Sequence, residues 1–372
     1  MSGALNVKIA YEKVARMLNE WYGTIKRHQV PKAISMKEEI QSVLPYMEEN
    51  QDLLLYFNLL DLRHNLMLEK LSDSKEAYEK IKKQEEQVKE TNKMIQYYSL
   101  FFSGVYEFYK KNFIDAINYY RLAEDKLKSI PDEIESAEFH YKLAHAYYQI
   151  DQHFVSLSHA KKAKSIFNAH EDYKVKAIAC DMMFGANLYD MYQLSEAEEL
   201  FQNTLHEAKA INNQRATGII YHNLGLIFER KNVLGLALEY FKKAMDLQEH
   251  FESQNGIRSM YMAARVLYES GDLSEGLNWY KNALTRTKKC NEEEYKSKLK
   301  IIYSIYEEYN QLEVNNAFKY LETKNLWSDV SELAEKVADF HKKTGDLNSC
   351  TEYLKKALNA KTQILKVTEA LA

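Results

Sequence analysis

A small residue recurs along this chain at an almost constant step. Gly104, Ala144, Gly185, Gly225 and Ala264 are separated by 40, 41, 40 and 39 residues. Most are followed, at fixed distances, by a second small residue and an aromatic: Ala116 and Tyr120, Ala197 and Phe201, Ala237 and Phe241, Gly276 and Tyr280. In the second unit, Ser156 and Ala163 follow Ala144 and Tyr147. A small side chain lets two helices approach closely, and the ring fills the space between them. A unit of this kind cannot bury its apolar face alone, so copies must stack on one another. A non-repetitive bundle would not produce such a lattice.

Helix pairs with small residues at positions 8, 20 and 27 and an aromatic at 24 form the tetratricopeptide pattern, whose usual period is about 34 residues. The longer step here requires extended helices or extended inter-repeat loops. A last unit carries Ala338, Cys350, Leu354 and Ala357, while between Tyr303 and Leu326 Ile305 and Lys324 occupy positions normally held by small residues. Six clear units and one degenerate one are expected. Only 3 Pro and 11 Gly punctuate the 372 residues, too few turn-formers for a sandwich, barrel or doubly wound sheet. The fold class is all-α: an N-terminal three-helix bundle followed by a right-handed tetratricopeptide superhelix.

Residues before about 95 do not join the lattice. VKIAYEKVARMLNEWYGTIKRH, PKAISMKEEIQSVLPYMEEN and QDLLLYFNLLDLRHNLMLEKL are amphipathic, the second opening with Pro31 at a first helical position. They read as a three-helix bundle over residues 1–71. The stretch 72–93 is strongly charged with few apolar residues, so it is expected to bury little and to form a solvated helix or mobile linker. The array, residues 94–372, then opens on an unfilled helical face near Met94 to Phe102.

Charge and motif content exclude several functions. Fifty Lys and Arg against 54 Asp and Glu give a net charge of −4, and residues 1–70 hold nine of each sign, so no basic field points to nucleic acid. Cys180, Cys290 and Cys350 are widely spaced without a CxxC, which indicates neither a disulfide framework nor a zinc site. With no apolar leader and no stretch approaching 18 uncharged apolar residues, a soluble cytoplasmic protein is expected. Phosphate-loop, dinucleotide, zincin and serine-hydrolase motifs are absent, and the scattered His read as surface or core residues. No metal or cofactor on this chain is expected.

Two places can still do chemistry. In a tetratricopeptide array positions 5, 6, 9, 12 and 13 of the first helix face the concave side. Here they give Tyr141, Lys142, His145, Tyr148 and Gln149; Met182, Met183, Tyr189 and Asp190; His222, Asn223, Glu229 and Arg230; and Tyr261, Met262, Arg265, Tyr268 and Glu269. Amides and carboxylates among aromatics and Met suit an extended peptide, whose backbone needs polar partners and whose side chains need apolar pockets. Asn223 can donate to a peptide C=O and accept from its N–H. The second place is Glu48–Gln51, at the junction of the second and third bundle helices, where the neutral amide of Gln51 could orient a water for attack on phosphorus or could simply be a surface residue.

At these residues the chain resembles the Rap family of response-regulator aspartate phosphatases. The matching stretches are LNEWY (Leu18 to Tyr22), MEENQDLLLYF (Met47 to Phe57), RHNLML (Arg63 to Leu68), GVYEF (Gly104 to Phe108), IPDEIESAEFHYKLAHAYY (Ile130 to Tyr148) and GANLYD (Gly185 to Asp190). The resemblance implies a bundle that binds a response regulator, a linker helix and a repeat domain that binds a short re-imported signalling peptide. It implies dephosphorylation of an aspartyl phosphate in a receiver domain of the sporulation phosphorelay. Gln51 matches the glutamine inserted into that receiver, whose divalent metal, expected to be Mg, belongs to the partner. Glu49, Asn50, Leu54 and Leu62 match the docking surface, with Leu62 where some members have Phe and Asn50 where many have Asp. Asp190 and Asn223 match the residues that clamp the peptide backbone, and Asn187 lies one turn before Asp190. Tyr148, Met183, Glu229 and Arg265 complete the expected peptide site. An alternative role within the family is non-catalytic inhibition of the DNA-binding domain of a competence-type regulator. A peptide-responsive transcription factor is disfavoured by the neutral bundle.

Overall fold

The computed structural model of the chain describes residues 8–371. Among these residues there are twenty α-helices and no strand beyond a single bridge between Ile9 and Met47. They divide into two compact units: residues 8–146 with 165–173, and residues 147–164 with 174–371. The all-α fold class is as the sequence implies.

Unit 1 begins with α1 (Tyr11–Lys26), α2 (Val30–Val43) and α3 (Gln51–Met67), which pack through Val14, Leu18, Trp21, Ile40, Leu55 and Leu59, all buried. The next helices, α4 (Leu71–Lys83) and α5 (Glu85–Lys89), cover the expected solvated linker. Its apolar residues are few, but Ser74, Ala77 and Ile81 are buried on one helical stripe. Tyr78, on the same stripe, stacks on Tyr106 with ring centroids 4.1 Å apart. This segment is therefore packed rather than solvated, because spacing and not apolar content decides whether a helix has a face to bury.

The remaining unit 1 helices are α6 (Lys93–Tyr109), α7 (Phe113–Leu127) and α8 (Glu133–Tyr148), the last crossing into unit 2 after Ala146. The face of α6 that the sequence leaves unfilled is filled by the bundle: Tyr98 meets Tyr22 and Tyr56, and Phe102 meets Tyr22, all with centroids 5.3–5.7 Å apart. A polar knot lies beside these rings. Glu135 of α8 is fully buried and accepts hydrogen bonds from the hydroxyls of Tyr22 and Tyr97, each at 3.0 Å. The Lys26 ammonium lies 2.8 Å from Asp132 and 3.5 Å from Glu135. Burial pushes the Glu135 carboxyl up, while Lys26 and the two hydroxyls pull it down.

From α9 (His153–Phe167) onward the pairs continue: α10 (Lys174–Asp190) with α11 (Leu194–Ala210), then α12 (Gln214–Arg230) with α13 (Leu234–Met245). A short α14 (Gln248–Glu252) intervenes before α15 (Gln254–Glu269) and α16 (Leu273–Cys290). The unit ends with α17 (Glu293–Tyr306), α18 (Gln311–Thr323), α19 (Trp327–Thr344) and α20 (Leu347–Leu371). Counted from α6, seven helix pairs follow one another, matching six clear repeats and one degenerate one. The long period comes from first helices of 16–17 residues between α6 and α15 and from inserts such as α14.

Two local devices repeat with the lattice. A Cβ added to Gly185 would lie 2.5 Å from the Phe201 ring and one added to Gly225 would lie 2.6 Å from Phe241, so in these two pairs only glycine admits the ring that closes them. In the five pairs from α6–α7 to α15–α16 the turn also closes on one left-handed residue, namely Lys111, Asp151, Tyr192, Asn232 and Gly271. The next N–H bonds back five residues in every case: Asn112 to Glu107, Gln152 to Tyr147, Gln193 to Leu188, Val233 to Phe228, Asp272 to Leu267, all at 2.8–2.9 Å. This six-residue closure satisfies the orphan carbonyls of the first helix and sets the angle of the second.

Candidate functional site

The first helices of unit 2 line a groove with a cavity of about 680 Å³. Tyr148, Asp190 and Asn223 line it, as expected from their repeat positions. Burial pushes the Asp190 carboxyl up, against a hydrogen bond from Tyr148, and the Tyr148 hydroxyl is itself pushed up by burial and by the Asp190 charge. The Asn223 side chain is half-buried and makes no hydrogen bond to any described residue, so both ends of its amide are open to a ligand. His222 lines the groove but points Nδ1 at Ser259, 3.0 Å away, and Ser259 also meets His250 Nε2 at 2.9 Å. Burial lowers both imidazoles, His250 to about 4.

Arg265 also lines the groove, yet its guanidinium is spent within the chain, on Glu332 at 2.6 Å and Glu229 at 2.8 Å. Glu229 is held in that pair and does not line the cavity. Two further expected residues stand off the groove. Asn187 is fully buried, with its carboxamide taken by Ser156 at 3.1 Å, the Met183 carbonyl at 2.8 Å and His153 at 3.0 Å. Met183 is buried too, since an apolar chain gains more from interhelical packing than from a polar lumen. The groove holds residues that the repeat positions did not single out: Arg258 on α15, Tyr295 and Lys298 on α17, and Trp327, Asp329 and Glu332 on α19. Arg258 stands one turn before Tyr261, so the same-face rule reaches it; α17 belongs to the degenerate repeat, whose broken pattern hid its inward positions. Lys298 pairs with Glu294 at 2.8 Å and Asp329 at 2.7 Å. Ser328 donates to Asp151 at 2.8 Å, joining the start of α19 to the turn before α9.

In unit 1 the junction of α2 and α3 is pinned by the chain start. Ile9 N–H donates to the Tyr46 carbonyl at 2.7 Å, and Glu48 N–H donates to the Ile9 carbonyl at 2.9 Å. Asn50 caps α3, accepting from Leu53 N–H at 3.1 Å, so its side chain serves the helix. Gln51 follows as the first residue of α3, exposed and without a hydrogen bond to any described residue. Glu49 is exposed beside it, and Leu54, one turn on, is 39% exposed. Leu62 differs: it is 0% exposed, drawn into the core by the apolar face of α3, and offers no docking surface. Tyr46, 57% exposed, is the surface residue at this junction that sequence reasoning missed; a large ring left in solvent beside the cap is its signal.

Comparison with known proteins decides the family. Residues 8–69 match the N-terminal family of response regulator aspartate phosphatase H, and residues 219–251 match the tetratricopeptide repeat. Response regulator aspartate phosphatase I of Bacillus subtilis (strain 168) is 33% identical, over 96% of this chain and 93% of its own length. The chain belongs to the Rap family. Among solved Rap structures, the conjugation gene regulator of plasmid pLS20 in complex with the Phr* peptide is 37% identical, with TM-score 0.74 over 98% of this chain and 99% of that one. A Rap protein complexed with competence and sporulation factor is 29% identical, with TM-score 0.87 over 95% and 99%. The likeness to solved Rap structures thus extends along nearly the whole chain.

Proposed function

We propose that this Rap protein hydrolyses the aspartyl phosphate of a response-regulator receiver domain in the sporulation phosphorelay, and that a short re-imported peptide bound in the unit 2 groove inhibits it. Residues 1–71 dock the regulator, 72–93 connect, and 94–372 bind the peptide. The observation that carries the reading is Gln51, an exposed, unengaged amide at the first residue of a helix whose backbone Asn50 fixes. Its carbonyl accepts from a water and its N–H₂ meets the phosphoryl oxygens, so the water lies in line with the bond to be broken. The water oxygen bonds to phosphorus, the acyl-phosphate P–O bond breaks, and aspartate carboxylate and inorganic phosphate leave. Mg²⁺ held by the receiver neutralises the phosphoryl charge. Glu49 and Leu54 flank the docking surface, and Tyr148, Asp190 and Asn223 hold the peptide.

Among the described residues no helix is long and apolar enough to cross a membrane, and the cytoplasm is where the regulator and an imported peptide would meet this chain. A second reading, a non-catalytic inhibitor of a competence-type regulator's DNA-binding domain, has one observation in its favour: exposed Tyr46 and Leu54 give the tip an apolar grip that needs no chemistry. Receiver domains phosphorylated with acetyl phosphate in Mg²⁺ buffer test the first reading. Faster loss of the acyl phosphate from at least one receiver is expected. Unchanged decay with every receiver, together with binding to a regulator's DNA-binding domain, would leave the second.

A further inference from the structure

Five Arg and Lys side chains line the unit 2 groove: Arg230, Arg258, Arg265, Lys298 and Lys361. Three are already neutralised by carboxylates of the chain, Arg265 by Glu229 and Glu332, Lys298 by Glu294 and Asp329, and Lys361 by Glu335 at 2.7 Å. Arg230 is spent differently. It donates to the Tyr189 carbonyl at 2.7 Å and stacks on Tyr189 and Tyr192, 3.7 and 4.6 Å from the ring centroids.

Arg258 stands apart. It is exposed to the groove, it has no carboxylate within 4.0 Å and no hydrogen bond to a described residue, and its nearest aromatic face, Tyr295, is 5.8 Å from the guanidinium carbon. Tyr295 and Tyr148 border the guanidinium and Glu294 and Glu292 act on it only from beyond ion-pair distance, so no carboxylate of the described chain occupies its fork and an arriving anion finds it open. Its fork matches two oxygens of one carboxylate. Asn223 also lines the groove without a hydrogen-bond partner among the described residues, and its amide suits a peptide bond.

We propose that Arg258 is the anion seat of the groove, that it takes a carboxylate of the bound peptide, and that it thereby selects peptides carrying one. This rests on the reading of the groove as a peptide site. The carboxylate is either the peptide's C-terminus or an Asp or Glu side chain, and the test separates the two.

Three libraries of synthetic pentapeptides serve as probes for affinity selection on the full chain: free C-termini without Asp or Glu, amidated C-termini with Asp and Glu, and amidated C-termini without them. Retention of peptides from the first library assigns the seat to the C-terminus, and retention from the second assigns it to a side chain; the third should yield none. Arg258→Gln should weaken the retained peptides by at least about 30-fold, and Arg258→Lys by less, because the charge stays and the fork is lost. Equal retention of the third library by the unaltered chain, or unchanged affinities in Arg258→Gln, would overturn the anion seat while leaving a peptide groove. No retention from any library would overturn the peptide reading itself, and the seat with it.

Discussion

In unit 1 the buried Glu135 carboxylate is met by the chain's own donors, Tyr22, Tyr97 and Lys26, whereas in unit 2 Asn223 and Arg258 face the groove with no hydrogen bond or ion pair to a described residue. The first is withdrawn from bulk water, while the second is only partly so. Where the chain supplies every partner, the polar cluster holds helices of different segments in one register, and removing a member leaves the others unpaired. Where it withholds partners, the structure is complete without the group and a ligand is needed to use it. The same contrast appears inside the groove, between Arg265, locked by two glutamates, and Arg258, locked by none. A buried network is therefore evidence of architecture, and an open donor in a cavity is evidence of recognition.

Three substitutions or conditions would break or sharpen that contrast. The largest effect is expected for Glu135→Leu, which strands two buried phenols and leaves the buried Lys26 with Asp132 alone: unit 1 should lose about 3 kcal/mol in denaturant unfolding, and a loss below about 1 kcal/mol would mean that the knot carries no architectural weight. Next comes pH. Burial holds His250 at about 4, with Arg215 and Arg258 adding to it, against about 6.5 in an unfolded chain. The unfolded state binds the proton first, so this group's contribution, about 3 kcal/mol, is complete above pH 6.5 and is lost as pH falls towards 4. Urea titrations of unit 2 probes across that range should show the slope, and His250→Gln should make it shallower while leaving the share of His222, which burial also lowers. The smallest effect on stability belongs to Asn223→Ala, within about 0.5 kcal/mol, yet peptide affinity measured by calorimetry should fall roughly 10- to 100-fold, because two peptide groups lose their partner.

Much of this was legible in the residues. The step from Gly104 to Ala264 carried the repeat count, and inward register positions found Tyr148, Asp190 and Asn223. What escaped follows from physics that a linear pattern does not contain. The α4 segment is poor in apolar residues, but Ser74, Ala77, Tyr78 and Ile81 share one stripe, and only spacing reveals it. Met183 occupies the same register position as Asn223, yet an apolar side chain turns into the interhelical contact while the amide stays at the lumen. Arg265 and Glu229 were found as separate polar residues, and nothing in the sequence says that they consume each other. Leu62 was assigned to a docking surface by resemblance, and the core of unit 1 takes it. Arg258 needed the absence of a partner to be visible, which is a property of the fold.

The proposed phosphatase mechanism requires Gln51 to act on a partner's phosphoryl group without being needed to bind it. Turnover and binding measured side by side on one phosphorylated receiver, for the unaltered chain and for Gln51→Ala, test this most directly. The expected result is a loss of about 100-fold or more in the rate of acyl-phosphate hydrolysis, with the dissociation constant for the receiver changed less than about threefold. Full hydrolysis by Gln51→Ala, or a loss of activity matched by an equal loss of binding, would contradict it.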